Sequence, residues 1–254
     1  PRYIGCEYQE FCSWLNCLSL VRVRTTRICH SVGMTSSTRL VQLFTHEGQS
    51  PWLDNLKRSL ITSGDLASMR DSGIRGLTSN PTIFQKAIQG SADYDEQFRS
   101  EIQKGSTARD AYWELVLQDI HGALDAFASL YSQSGGADGF VSVEVDPSLA
   151  HDSAGTLSAA RLLHERIARP NVMIKIPATQ QGLSAIREMI AEGRNVNVTL
   201  IFSLSRYQEV MDAYIEGLEQ RMASGSPVSG IASVASFFIS RVDNEIDKRL
   251  DQLG

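Results

Sequence analysis

Residues 171–179 read NVMIKIPAT and set a single lysine inside an apolar run of β-strand character. Val172, Ile174 and Ile176 alternate with Met173 and Lys175, so Lys175 shares a strand face with Met173. A lysine taken into a sheet interior is costly unless it is paired or put to use. The use open to it is nucleophilic. An unprotonated amine adds to a carbonyl to give a carbinolamine and then a Schiff base, an electron sink for cleaving a neighbouring carbon–carbon bond. A free lysine, with a pKa of about 10.4, is competent in roughly one molecule in 2,500 at pH 7, so desolvation or a nearby cation must assist it. The cycle also needs a carboxylate to carry protons, and no external cofactor.

Two other runs carry the same alternation. In GFVSVEV (139–145), Val141, Val143 and Val145 take one face, while Ser142 and Glu144 take the other. In NVNVTLIF (195–202), Val196, Val198 and Leu200 oppose Asn195, Asn197 and Thr199. If the branched apolar faces pack on helices, Glu144, Lys175, Asn197 and Thr199 converge on one interior from three consecutive strands. Asp54, in PWLDN (51–55), is the second inward carboxylate.

Each residue also has a bland reading. Lys175 and Glu144 read as a buried ion pair, Asn197 and Thr199 as satisfied core polar groups, Asp54 as a helix N-cap, and Asn80 before Pro81 as a turn. Asn197-Val198-Thr199 also matches a glycosylation triplet, with no secretion signal to support it. Convergence favours the site.

The elements that must position these groups follow from the hydrophobic period. Strand-like runs at 51–55, 74–80, 139–145, 171–176, 195–202 and 229–237 alternate with helical segments. Those segments include 58–71, 107–131, 153–168, 180–192, 204–223 and 237–252. Ser153 and Ser203 read as N-caps, and Gly193 as a helix stop. Alternating strands and helices imply a parallel α/β sheet. No glycine-rich phosphate loop of the G-x-G-x-x-G or G-x-x-x-x-G-K-[ST] type occurs, which disfavours a doubly wound sheet. Polar residues at the strands' C-terminal ends favour a (β/α)8 TIM barrel.

Composition bounds the function. The 254 residues are 42% hydrophobic and 21% charged, with a net charge of −5. That balance argues against nucleic-acid or anionic-membrane partners. The four cysteines (6, 12, 17 and 29) and the scattered histidines match no metal pattern, so no metal is expected. Residues 1–33 differ from the rest, carrying +2 against −7 for 34–254. They read as a transit peptide or as upstream sequence with Met34 as the start; the initial Pro1 favours the latter.

The segments PWLDNL, GLTSNPTIFQKAI, GFVSVEVDPSLA, NVMIKIPAT, NVNVTLIFSLSRY and SVASFFISRVDNEID, in that order from residue 51 onward, resemble the transaldolase family. The resemblance is to its longer bacterial and plant-type branch. It implies a Schiff-base (β/α)8 enzyme of the pentose phosphate pathway that needs no cofactor. Such an enzyme transfers a dihydroxyacetone unit from sedoheptulose 7-phosphate or fructose 6-phosphate to an aldose phosphate. The resemblance further implies Lys175 as the Schiff-base lysine and Asp54 as the acid/base carboxylate for carbon–carbon cleavage. Glu144 and Thr199 match the pair that positions a water. Asn80, Asn197 and Ser236 match substrate-binding residues, and Arg241 a phosphate-binding arginine.

The implied location is cytoplasmic, or plastid if residues 1–33 are a transit peptide, with a homodimer kept open. Only about six of the eight barrel strands are recognisable, which suggests a fragment of the family's chain. Two other functions stand beside transfer. One is aldol cleavage of fructose 6-phosphate, which Glu144 disfavours because related aldolases use a tyrosine in that role. The other is a non-catalytic sugar-phosphate-binding fragment.

Overall fold

The computed structural model describes residues 38–253. The segment 1–33 lies outside them. Six strands form one sheet: β1 (Trp52–Asp54), β2 (Gly76–Thr78), β3 (Val141–Glu144), β4 (Val172–Pro177), β5 (Val196–Ile201) and β6 (Ser233–Phe237). All neighbouring pairs are parallel and the spatial order follows the chain, β1-β2-β3-β4-β5-β6. A doubly wound sheet would reverse direction at a switch point, and this one does not. The sheet is a curled half-barrel of the TIM type.

Curvature follows from contacts that skip a strand. Neighbouring strands lie about 4.8 Å apart, so strands two apart are separated by about 10 Å on a flat sheet. Asn197 on β5 nonetheless reaches the Ser142 hydroxyl on β3 at 3.0 Å. Lys175 on β4 reaches the backbone carbonyl of Ser79, just beyond β2, at 3.4 Å. Only a concave face brings side chains together in this way.

Ten helices of α type lie among the described residues: α1 (Arg39–Glu47), α2 (Arg58–Thr62), α3 (Asp65–Asp71), α4 (Pro81–Gln89), α5 (Asp95–Gln103), α6 (Ala108–Gln133), α7 (Ser153–Ile167), α8 (Gln180–Ala191), α9 (Leu204–Ala223) and α10 (Ile239–Asp251). The convex face packs against them. Val141, Val143, Val172, Ile174, Ile176, Val196 and Val198 join one core cluster with Ile120, Phe127, Ile186 and Met189. Each fully buried aliphatic side chain contributes about 1.5–3 kcal/mol, so seven on one face fix which side of the sheet meets the helices.

Local signals set most boundaries. Ser203 accepts from the Arg206 amide as N-cap of α9. Gly193 follows α8 at φ 81, and the chain there closes back on Ile190 and Met189 through the Gly193 and Arg194 amides. Three expectations are corrected. The segment 58–71 is two helices, α2 and α3, because Gly64 at φ 80 interrupts it. Asp152, not Ser153, caps α7, since its carboxylate accepts from the Gly155 amide while the Ser153 hydroxyl donates to the Gln181 carbonyl. Leu200 does not continue the Val196/Val198 face. A register shift between Val198 and Ile201 gives that core position to Ile201 and leaves Leu200 at φ 62, partly exposed.

Helix α1 docks beneath the sheet. The Arg75 guanidinium, one residue before β2, lies 3.4 Å over the Phe44 ring and pairs with Asp138 at 2.7 Å. Gly76 opens β2 because a Cβ there would sit 2.4 Å from the Trp52 indole on β1.

Candidate active site

The C-terminal ends of β3, β4 and β5 hold the polar groups. Glu144 is in register with Lys175, Lys175 with Asn197, and Pro177 with Thr199. Lys175 is 5% exposed, and its Nζ lies 3.5 Å from Glu144 Oε2. Burial raises the Glu144 carboxyl above its ordinary 4.5; the Lys175 ammonium opposes that rise, and the Asp54 charge adds to it. The bland reading of an ion pair is therefore correct as geometry. What sets this pair apart is its place at the mouth of the curl, beside further buried polar groups.

Asn197 and Ser236 belong to one hydrogen-bonded chain. Ser236 donates to Asn197 Oδ1 at 2.9 Å, and Asn197 Nδ2 donates to the Ser142 hydroxyl at 3.0 Å. Asn197 is 1% exposed, which closes the glycosylation triplet to modification. Thr199 is equally buried, yet its hydroxyl has no hydrogen-bond partner among the described residues. A buried hydroxyl without a partner costs about 1–3 kcal/mol, which marks Thr199 as a candidate site group.

Asn80 is the N-cap of α4. Its Oδ1 accepts from the Ile83 amide at 2.9 Å, with Pro81 at the first helical position. With Glu144, Phe84, Tyr112 and Trp113 it lines a cavity of about 40 Å³, enough for one water molecule. Burial, with the Asp146 charge, pushes the Tyr112 phenol up to about 12, so it stays neutral beside that cavity.

Two of the expected residues stand apart from this cluster. Asp54 ends β1 and is exposed. Its carboxylate makes no hydrogen bond or ion pair among the described residues, and Lys57 rather than Asp54 precedes α2. It reaches the cluster through its charge on Glu144. Arg241 sits in the first turn of α10, exposed, with its guanidinium 4.6 Å over the Phe238 ring.

The structure adds two residues to which the sequence pattern assigned no role. Ser142 was visible on the inward face by alternation, but nothing local said that it would receive Asn197. Ser79 is fully buried, donates its hydroxyl to the Ser142 carbonyl at 2.8 Å and offers its own carbonyl to Lys175. Among the described residues no group of three or more His, Cys, Asp or Glu side chains is placed to hold a metal ion. No helix among them is long and apolar enough to cross a membrane.

A lysine beside a carboxyl that burial shifts upward, with an unpartnered hydroxyl one strand away, is a set of groups suited to carbonyl addition and dehydration. The comparisons agree in direction. The family model "Transaldolase/Fructose-6-phosphate aldolase" matches residues 51–253. "Transaldolase 1" of Streptomyces coelicolor is 52% identical over 221 residues, covering 87% of this chain and 58% of that protein. "Transaldolase" of Saccharopolyspora erythraea is 52% identical over 221 residues, covering 87% and 60%. "Transaldolase" of Trichodesmium erythraeum is 49% identical over 206 residues, covering 81% and 54%. The chain thus spans between half and two thirds of the length of these relatives. It belongs to the transaldolase/fructose-6-phosphate aldolase family.

Proposed function

We propose that this chain carries the Schiff-base machinery of a transaldolase and moves a dihydroxyacetone unit between sugar phosphates. The observation that carries this reading is the buried Lys175 Nζ, 3.5 Å from Glu144 Oε2, on the concave face. The unprotonated amine adds to the C2 carbonyl of a ketose phosphate. The carbinolamine then loses its hydroxyl as water, taking a proton from Glu144, whose raised pKa suits it to hold one. Thr199 holds that water through its free hydroxyl.

Asp54 accepts the C4 hydroxyl proton as the C3–C4 bond breaks. The bond's electron pair moves into the iminium, leaving an enamine on Lys175 and a free aldose phosphate. Addition of a second aldose reverses the sequence. Asn80, Asn197 and Ser236 bind hydroxyls of the sugar, and Arg241 binds its phosphate through paired donors. In the wider reading the step belongs to the pentose phosphate pathway in the cytoplasm, without cofactor.

The test is reductive trapping. Fructose 6-phosphate with borohydride should leave a dihydroxyacetone-derived adduct on Lys175, located by peptide mass spectrometry and absent from Lys175→Met. An unmodified Lys175 at saturating ketose would overturn the reading. An added aldose phosphate separates transfer from simple aldol cleavage, since only transfer yields a new ketose phosphate.

A further inference from the structure

We propose that Phe202 is a positioning residue. It braces the ring on which Arg241 lies and so presets that guanidinium for the phosphate of a sugar phosphate. The inference rests on the reading of Arg241 given above, and its core is a chain of three side chains. The Phe202 and Phe238 rings meet edge to face, 5.4 Å apart at 71°. The Arg241 guanidinium lies 4.6 Å over the other part of this pair, the Phe238 ring. The Phe238 amide donates to the Ile201 carbonyl at 2.9 Å, which ties together the two backbone segments bearing the rings.

The backbone explains how Phe202 arrives there. Uninterrupted alternation along β5 would put residue 202 on the convex face with Val196 and Val198. The register shift after Val198 inserts one residue and hands the core position to Ile201, and the Phe202 ring meets Phe238 instead of the core. The cost is visible. Leu200 takes a left-handed conformation at φ 62 without being glycine, and Phe202 is left 46% exposed. Two unfavourable features in three residues, serving no core contact of Phe202, need an offsetting role.

Arg241 supplies that role. Among the described residues it has no ion pair, and its guanidinium rests on the Phe238 ring. A long exposed arginine loses much rotamer freedom on clamping a phosphate. Resting it on a ring braced from its other side removes part of that loss beforehand. An exposed cation–ring contact is worth about two- to fivefold in affinity.

The experiment compares half-saturation by fructose 6-phosphate and by fructose for the chain and its variants. The phosphate preference is the ratio of the two. Arg241→Ala should abolish it. Phe202→Leu should lower it about two- to fivefold without moving half-saturation by fructose, and Phe202→Tyr, which keeps the ring, should restore it. Phe238→Leu removes the same stack from its other side and should match Phe202→Leu, which guards against one variant folding poorly.

If Arg241→Ala loses the preference while both leucine variants keep it, the phosphate reading stands and the positioning role is overturned. An equal loss for both sugars also overturns it, because that is general damage. A preference that survives Arg241→Ala, or none in the unaltered chain, overturns the phosphate reading and this inference together.

Discussion

Lys175 on β4 and Glu144 on β3 are register partners whose charged ends stop 3.5 Å apart, with side chains 6% and 11% exposed. Adjacent strands in register bring the two side chains side by side on one face. A buried pair of this kind contributes little net stability, because desolvation of two charges offsets their attraction. In the proposed mechanism its value lies in keeping a proton and an amine within reach of one substrate atom.

The raised Glu144 carboxyl predicts a pH dependence of stability. Its folded-state value lies above the ordinary 4.5, so the folded chain binds the extra proton. Its contribution is complete below the ordinary value and is lost as pH rises through the raised one. Urea midpoints measured from about pH 4 to about pH 8 should therefore fall across that window. Buried Asp119 shifts in the same direction, so the informative quantity is the difference between the chain and Glu144→Gln. That variant should show a flatter profile, and an unchanged slope would count against the assignment.

Thr199→Val should separate stability from chemistry. The substitution keeps the shape and removes a buried hydroxyl that has no partner among the described residues. Unfolding free energy should stay level or rise by about 1 kcal/mol. Turnover of fructose 6-phosphate should fall about 10²-fold, as expected when a water-positioning group is lost from an acid–base step. A clear loss of stability would mean that the hydroxyl is structural.

Away from the site, Asp119 accepts from Arg58 Nε and from the Tyr94 hydroxyl, both at 2.8 Å, and is 1% exposed. This cluster ties α2 and the 3₁₀ turn at Ala92–Tyr94 to α6. Asp119→Ala leaves the Arg58 guanidinium buried without its carboxylate and should cost about 3–5 kcal/mol by urea unfolding. Asp119→Asn keeps one acceptor and should cost less. Equal effects would mean that the charge, lost in both variants, carries the whole cost and the retained acceptor none.

Much of this molecule can be read from short stretches. The period-two alternation in residues 139–145 and 171–176 assigned the faces of β3 and β4, since neighbouring side chains on a strand must point opposite ways. It also singled out Lys175 and Glu144 before any contact was known. Ser203 and Gly193 marked helix ends because a cap depends on two or three adjacent residues.

Only the tertiary structure decided what depends on distant partners. That Asn197 would be held between Ser142 and Ser236 required the sheet to curl, which is a property of all six strands together. Leu200 alternates faithfully in the sequence, yet pairing with β6 placed a bulge there and moved the core position to Ile201. Asp152 took the cap expected of Ser153 because the Ser153 hydroxyl found the Gln181 carbonyl, 28 residues away. Alternation and capping are local, and the sequence states them directly. Curvature, register and the choice among hydrogen-bond partners are settled by what the rest of the chain brings alongside.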